Sequence, residues 1–274
     1  MSKRSRPIPV TAATIGVTGV IVPAIDRSHH TTEIVLASAS PRRRELLKVL
    51  GISFRVAVAD VNEEAQTGEA PTGLVTRLAE TKALTVARRD VVASHFRQGA
   101  DASGPGPLVL AADTEVEWQG AVLGKPADAA GARAMLTALR GRPHRVLTGL
   151  ALAQDDRIVW SSVIQTTVWM RAYGDDEIER YIASGRPLDK AGAYGIQDGG
   201  FQPVERIEGC YTNVVGLPLC EVSRALTTNR QSGPGLRGAK DIRGQGAVRD
   251  AVDLCVALQA RAGVPGPHGD RTPS

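Results

Sequence analysis

The sequence is poor in aromatic residues and in cysteine. Only 4% of its residues are Phe, Trp or Tyr, whereas proteins that bind single-stranded nucleic acid stack successive bases on aromatic side chains. This composition argues against such a surface. The three cysteines, Cys210, Cys220 and Cys255, show no CxxC spacing. They predict neither a disulfide framework nor a zinc site, but free thiols in a reducing cytosol.

Long hydrophobic runs are also missing, since no stretch reaches the ~18 apolar residues that a membrane-spanning helix needs. Residues 8–25 follow a basic start, as in a secretory signal, but prolines and glycines interrupt them and no A-x-A cleavage site follows. We therefore expect a cytoplasmic protein with no membrane association. Residues 1–33 are predicted to be a disordered N-terminal extension, and export is the minor alternative.

The positive charge is concentrated at the two ends of the chain. Residues 1–33 carry a net charge of +2 and residues 229–274 one of +3, so the remainder of a chain with total charge +4 is at −1. A nucleic-acid-binding domain usually concentrates basic residues in its folded body. The charge distribution therefore predicts no nucleic-acid partner.

Alternating strand and helix patterns occupy residues 34–228, which predicts one α/β domain. The segment 229–274 is rich in Gly and Arg at its start and is predicted to be a flexible tail. Within this tail, residues 247–262 have the spacing of a short amphipathic helix.

The first segment that indicates chemistry begins at Ser38 and reads Ser-Ala-Ser-Pro-Arg-Arg, between a predicted strand and a predicted helix. Ser40 suits the N-cap position, and Pro41 suits the first helical position. A helix start exposes backbone N–H donors and a partial positive charge, to which Arg42 and Arg43 add guanidinium groups suited to phosphate. Alone, the segment fits a capped helix with solvated arginines equally well.

Two further segments carry candidate functional residues. Asp113 follows an apolar strand predicted over residues 108–112, and an acid at the carboxyl end of a buried strand is a usual catalytic position in α/β proteins. Asp113 could bind a metal ion, take a proton from water, or simply cap a turn. The glycine-rich segment 187–197 lets the backbone approach a ligand and ends at Gln197, whose amide suits a pyrimidine edge.

Together these segments resemble the Maf family of nucleoside triphosphate pyrophosphatases, also called septum-formation inhibitor proteins. The resemblance spans residues 34–226. It is carried by the motifs at residues 38–47, 61–63, 111–114, 123–126, 139–144, 188–197, 204–209 and 213–219.

The resemblance implies a two-lobed α/β fold (Maf/ITPase-like), with a mixed sheet and a central cleft, often as a homodimer. It implies attack by water on the α-phosphorus of a nucleoside triphosphate, with Mg²⁺ or Mn²⁺ as cofactor. Asp113 would be the proton acceptor, and Arg42, Thr114 and Gln197 would take part in base selection. The polar lining of the cleft would comprise Ser38, Ser40, Arg43, Glu63, Lys82 and Lys125, with Glu63 and Asp113 as metal ligands.

Within the family, Arg42, Thr114 and Gln197 are similar to the dTTP/UTP-hydrolysing subgroup, whereas the 7-methyl-GTP subgroup would typically have Trp, Gln and Glu there. The alternatives are the same reaction on 7-methyl-GTP or another modified nucleotide, and a nucleotide-binding regulator of cell division without turnover. Glu115 departs from the pattern, because an aliphatic residue is usual at its position. Strand alternation would put it on the same face as Asp113, as a second carboxylate or a metal ligand, whereas a bulge in the strand would turn it to solvent.

Overall fold

The computed structural model describes residues 33–95, 106–232 and 244–265. The strands are β1 Ile34–Leu36, β2 Phe54–Val56, β3 Leu108–Trp118, β4 Ala121–Leu123, β5 Pro143–Gln154, β6 Arg157–Met170 and β7 Val204–Glu208. The helices are α1 Pro41–Val49, α2 Pro71–His95, α3 Ala129–Leu139, α4 Asp175–Ala183, α5 Tyr211–Val215, α6 Leu219–Ser232 and α7 Gly244–Arg261. Two short 3₁₀ helices, Arg186–Asp189 and Ala191–Ala193, lie between α4 and β7. No helix in these ranges is long and apolar enough to cross a membrane.

The seven strands form one mixed sheet in the order β2-β1-β3-β5-β6-β7, with β4 beside β3. β1 pairs in parallel with both β2 and β3, whereas the β3–β5, β5–β6 and β6–β7 pairs are antiparallel. Helices interleave with these strands along the chain, so the predicted α/β class with a mixed sheet is confirmed.

Helix α2 covers one face of the sheet. Its small and β-branched residues Ala79, Ala83 and Val86 are buried against Val35 and Val109 of the sheet. The helix lies unusually close to β5, because a Cβ placed on Gly149 would come within 2.1 Å of a backbone oxygen of α2. Only glycine permits this approach, which brings the polar side chains of α2 onto the sheet.

The opposite face carries the larger apolar core, contributed by α1 and by α3 to α7. Strand alternation sorts the side chains, since Leu36 and Leu110 point to this core while their neighbours Val35 and Val109 point to α2.

Strand β3 has one edge that is only partly paired. It pairs with β5 from Leu108 to Glu117, but on its other edge it pairs with β1 only over residues 108–110 and with β4 only over residues 116–118. Residues 111–115 therefore have no strand partner on this edge among the described residues. This stretch is called the open edge of β3 below.

The prediction that the strand ends before Asp113 is wrong, since β3 continues to Trp118 and Asp113 lies at its centre. The strand continues because the pairing with β5 is unbroken past Asp113, and because Val116 is buried in the core. The strand pairing is interrupted because β1 and β4 leave residues 111–115 of β3 unpaired on this edge, and not because β3 itself ends.

The segment after β7 does not form one continuous helix. The chain instead forms α5 and α6, separated at Gly216, which has a φ of 120°, and at Pro218. A φ in this range favours glycine, and proline has no N–H to continue a helix. The break leaves the Gly216 carbonyl free to bind a side chain.

The helix expected within residues 229–274 is α7, which packs on α5 and α6 with Ala251 and Cys255 buried. The predicted extension over residues 1–33 lies outside the described residues, apart from Glu33. The division of the chain at residues 33/34 and 228/229 stays a prediction.

Candidate active site

The start of α1 has the geometry of a capped helix. Ser40 is extended, and its hydroxyl accepts a hydrogen bond from the backbone N–H of Arg43 at 3.4 Å, with Pro41 in the first turn. The Ser38 hydroxyl accepts the N–H of Ser40 at 3.2 Å. Because Ser38 is buried beside the partly exposed Ser40, the loop is fixed from its inner side, and the helix start lies next to β3.

Arg43 turns inward to the open edge of β3. Its guanidinium donates to the Gly216 carbonyl at 2.8 Å, to the Ala112 carbonyl at 2.7 Å and to the Thr114 hydroxyl at 3.0 Å. The Thr148 hydroxyl lies 2.9 Å from that of Thr114. A guanidinium has five N–H groups, and three of them hold these elements together. Arg43 is thus first a structural clamp, with two N–H groups beyond these three bonds.

On the face of β3 that α2 covers, Lys82 binds the carboxylate of Asp113. Its ammonium group lies 2.6 Å from Asp113 Oδ1 and 2.6 Å from Glu63 Oε1. Lys82 and Asp113 are both buried, whereas the Glu63 side chain is 60% exposed. The second oxygen of Asp113, Oδ2, is buried and has no hydrogen-bond partner among the described residues. One carboxylate oxygen is therefore fixed and the other is available.

Two further charges act on this cluster, those of Glu115 and Lys125. Burial would raise the pKa of Glu63, but the hydrogen bond from Lys82 and the charges of Lys82 and Lys125 lower it more. Burial, together with the negative charge of Asp113, raises the pKa of Glu115 to about 7. Glu115 lies on the same face as Asp113, because β3 keeps its register with β5 through this stretch.

Arg43 also connects this acid cluster to the helix start electrostatically. Burial lowers the pKa of Arg43, the charges of Asp113 and Glu63 oppose this effect, and the charge of Arg42 adds to it. Arg42 and Asp113 are therefore both close enough to Arg43 for their charges to act on its guanidinium.

Arg42 and Gln197 lie nearer the surface than the buried pair of Lys82 and Asp113. Arg42 is 41% exposed and pairs with Asp189 at 3.4 Å, which joins the start of α1 to the 3₁₀ segment. Gln197 is exposed, and its hydrogen bond to Tyr211 of α5 partly offsets the rise that burial causes in the pKa of Tyr211. These two residues lie on segments that flank the clamp formed by Arg43 and Gly216.

A depression of about 480 Å³ lies elsewhere, along α2, and is lined by Thr72, Gly73, Thr76, Arg77, Glu80, Thr81 and Leu84. It contains none of the predicted site residues, and its one guanidinium, from Arg77, is paired with Glu69. Its chemistry does not suit a polyphosphate, so we assign the candidate site to the open edge of β3.

The donor set suits a hard divalent cation only in part. Among residues 33–95, 106–232 and 244–265, no three His, Cys, Asp or Glu side chains are arranged to hold a metal ion. However, Mg²⁺ is usually bound through one or two carboxylates together with substrate phosphates. The unpartnered oxygens Asp113 Oδ2 and Glu115 Oε2, with Glu63 nearby, fit that mode.

The sequence did not indicate two residues of the clamp, Thr148 and Gly216. Thr148 lies inside a regular strand pattern, which gives no local signal of function. Gly216 lies within the motif at residues 213–219 that carries part of the family resemblance. Its contribution, however, is a backbone carbonyl that becomes available only because the helix breaks there.

The comparisons with known proteins identify the family of the chain. The family described as Maf-like protein matches residues 33–229. A protein from Citrifermentans bemidjiense named dTTP/UTP pyrophosphatase is 50% identical over 198 residues, which cover 71% of this chain and 94% of that protein. A protein of the same name from Myxococcus xanthus is 50% identical over 195 residues, 71% of this chain and 91% of that protein.

Among solved structures, a HAM1 protein from Coxiella burnetii aligns with 84% of this chain and 100% of its own, at 18% identity and a TM-score of 0.37. The matched region contains every predicted site residue, and the sequence resemblance is confirmed: the chain belongs to the Maf family.

Proposed function

We propose that this protein hydrolyses dTTP and UTP to the nucleoside monophosphate and pyrophosphate. Relatives that carry the name dTTP/UTP pyrophosphatase at 50% identity support the reaction and the substrates. The observation that carries the proposal is the buried Asp113 carboxylate. Lys82 holds its Oδ1 at 2.6 Å, and its Oδ2 has no hydrogen-bond partner among the residues that the structure describes.

The triphosphate would bind between the start of α1 and the loop that carries Lys125. The first turn of α1 offers backbone N–H groups and the positive end of the helix dipole. Arg42 and Lys125 are both accessible cations, and Arg43 has two N–H groups beyond its clamp bonds. Because Arg43 is already fixed by three acceptors, it would present those donors without loss of side-chain freedom.

Asp113 would take the proton from the attacking water. Its Oδ2 is the free oxygen, and the bond from Lys82 to Oδ1 fixes the direction in which Oδ2 points. General-base catalysis of this kind contributes about 10²–10⁴ in rate. Lys82 would keep the carboxylate in place, and the exposed Glu63 could move away from Lys82 when substrate arrives.

A divalent cation, when bound, would neutralise charge on the phosphate oxygens as the anhydride breaks. Glu63 and Asp113 would hold it together with the substrate phosphates, and Glu115 is an additional carboxylate on the same face. The cationic groups of Lys125 and Arg42 would stabilise the departing pyrophosphate.

The choice of base is assigned to Arg42, Thr114 and Gln197. The subgroup resemblance supports this assignment, and the exposed Gln197 amide can both donate to and accept from a pyrimidine edge. Thr114 is bonded to Arg43 and Thr148, so its influence on the base would act through the clamp.

A panel of nucleoside triphosphates with product analysis tests the proposal. We expect pyrophosphate and monophosphate from dTTP and UTP with Mg²⁺ or Mn²⁺, and much slower release from 7-methyl-GTP. Preference for 7-methyl-GTP would overturn the substrate assignment, and release of inorganic phosphate alone would overturn the reaction. Tight binding of dTTP without turnover would favour the regulator instead.

The homodimer, the lack of a nucleic-acid partner and the cytoplasmic location stay predictions. Sedimentation of the purified protein tests the first, a binding assay with DNA and RNA tests the second, and cell fractionation tests the third.

A further inference from the structure

The three cysteines of the chain meet at one place. Cys210 precedes α5, Cys220 lies in the first turn of α6 and Cys255 lies on α7. The Cys220 and Cys255 sulfurs are 3.3 Å apart, and the Thr212 hydroxyl lies 3.1 Å from the Cys210 sulfur and 3.3 Å from that of Cys255. The thiols are free, as the sequence predicted, but they are adjacent, which their spacing in the sequence did not indicate.

This thiol cluster joins two parts of the chain that differ in their relation to the family. Cys210 and Cys220 belong to the region that the family matches, whereas Cys255 lies beyond its end at residue 229. Cys255 is buried at 7% exposure in the contact of α7 with α5 and α6, while Cys220 is only partly buried. A small oxidant therefore reaches Cys220 before Cys255.

The cluster also contacts the segment that anchors Arg43. The Thr212 hydroxyl accepts the N–H of Leu219 at 3.0 Å, and the Thr212 carbonyl accepts the N–H of Leu217 at 2.9 Å. Thr212 belongs to α5 and Leu219 begins α6. Gly216 lies between these two helices, and its carbonyl accepts the hydrogen bond from Arg43. The cluster thus lies behind the clamp and outside the site itself.

We propose that these three thiols form a redox-modification site, at which a peroxide converts Cys220 and Cys255 into a disulfide that fastens α7 to α6. The sulfurs need to approach by little more than 1 Å, since a disulfide is about 2.05 Å long. No metal site competes for these residues in the part of the chain that the structure describes.

The chemistry balances with hydrogen peroxide as the oxidant. Cys220 gives its proton to solvent and attacks one peroxide oxygen as a thiolate, so that an S–O bond forms, the O–O bond breaks, and the departing hydroxide takes a proton from solvent and leaves as water. The Cys255 sulfur then attacks the Cys220 sulfur, the S–S bond forms, and the S–O bond breaks. The second hydroxide takes the proton of Cys255, so two thiols lose two electrons and one peroxide gives two waters.

Peptide mapping of the full-length protein tests the proposal without any measurement of nucleotide hydrolysis. Reduced protein is treated with hydrogen peroxide, free thiols are blocked, and the protein is digested without reductant. We expect a peptide pair joined through Cys220 and Cys255, with Cys210 blocked, and its loss after dithiothreitol. Because the bond closes a long loop, we also expect the Tm to rise by several degrees on oxidation.

Serine variants provide matched controls. Cys210→Ser should still form the bond, whereas Cys220→Ser and Cys255→Ser should lose both the joined peptide and the Tm rise. A disulfide through Cys210, a bond only between two molecules, or oxidation without any disulfide would overturn the proposal. The wild-type peptide map decides the pairing even if a variant fails to fold.

Discussion

The two faces of β3 at its open edge differ in how completely the protein itself satisfies their polar groups. On the face toward α1 and α5, the Thr114 hydroxyl is bonded to Thr148 and to Arg43, which also reaches across to Gly216. On the α2 face, Asp113 and Glu115 each keep one buried oxygen that has no partner in the described part of the chain. Burying a polar group without a partner costs about 1–3 kcal/mol. The first face is built for stability, whereas the second is built for a ligand.

The difference teaches that adjacent residues in one strand can have separate tasks. Alternation sends Thr114 to the anchoring face and its neighbours to the reactive face. If this division is correct, substitutions of Asp113 or Glu115 should reduce turnover more than stability. Substitutions on the anchoring face should reduce both.

The largest expected effect is that of Asp113→Asn. We expect kcat for dTTP to fall by about 10²–10⁴, because an amide cannot take a proton from water. The Tm should change little, since the amide oxygen can still accept the bond from Lys82. Steady-state kinetics and thermal unfolding measure the two effects on the same preparation.

Glu117→Gln is the matched control for this variant. Glu117 is a buried carboxylate on the same strand and face, but it is paired with Arg145 and with the Gly120 N–H. The Glu117→Gln variant should have a lower free energy of unfolding and keep most of its turnover. Near-normal turnover in the Asp113 variant would refute the separation of the two faces.

Arg43→Lys should produce the next largest effect, and it should reduce both turnover and stability. Lysine presents a compact point charge and cannot serve three acceptors in the plane of a guanidinium. Leaving the Gly216 or Ala112 carbonyl unpaired should lower the free energy of unfolding by about 1–3 kcal/mol. Denaturant unfolding measures this loss, and kcat/KM should fall in parallel. A variant with full stability would show that Arg43 is no clamp.

Acid should destabilise the anchoring side through His144. Its Nε2 lies 2.7 Å from the Tyr194 hydroxyl, and burial lowers its pKa to about 4. The ordinary value is about 6.5. Between about pH 4 and pH 6.5, His144 is protonated in the unfolded chain but neutral in the folded protein. The free energy of unfolding should therefore fall as the pH drops through this window, by up to about 1.4 kcal/mol per pH unit.

The variant His144→Gln isolates this contribution from that of the carboxylates. Its free energy of unfolding should depend less steeply on pH across that window, as measured by urea unfolding at several pH values. Equal slopes for the variant and the wild type would contradict a buried neutral histidine.

Arg42→Lys should have the smallest effect. Its ion pair with Asp189 is 3.4 Å long and exposed, and exposed pairs contribute about 0–1 kcal/mol. We expect unchanged stability and a KM for dTTP raised a few-fold, because a point charge replaces a planar donor. Since Arg42 and Arg43 are adjacent, a stability loss equal to that of Arg43→Lys would remove the contrast between them.

The sequence predicted what depends on local chemistry. Ser40 and Pro41 specify a helix start through backbone geometry alone, and the face of Glu115 follows from the two-residue period of a strand. The family resemblance supplied the set of candidate site residues, because it can be recognised from motifs along the sequence without knowledge of how the chain folds.

The sequence could not predict what depends on distant packing. The inward turn of Arg43 requires the helix break at Gly216, far along the chain, and the continuation of β3 past Asp113 requires its pairing with β5. The meeting of Cys255 with Cys220 likewise depends on how α7 packs on α6.

Hydrolysis in ¹⁸O-labelled water tests the central claim most directly, which is that water activated by Asp113 attacks the α-phosphorus. Under single-turnover conditions with dTTP, the account predicts that the label enters the monophosphate and that the pyrophosphate remains unlabelled. Label in pyrophosphate or in inorganic phosphate would contradict it.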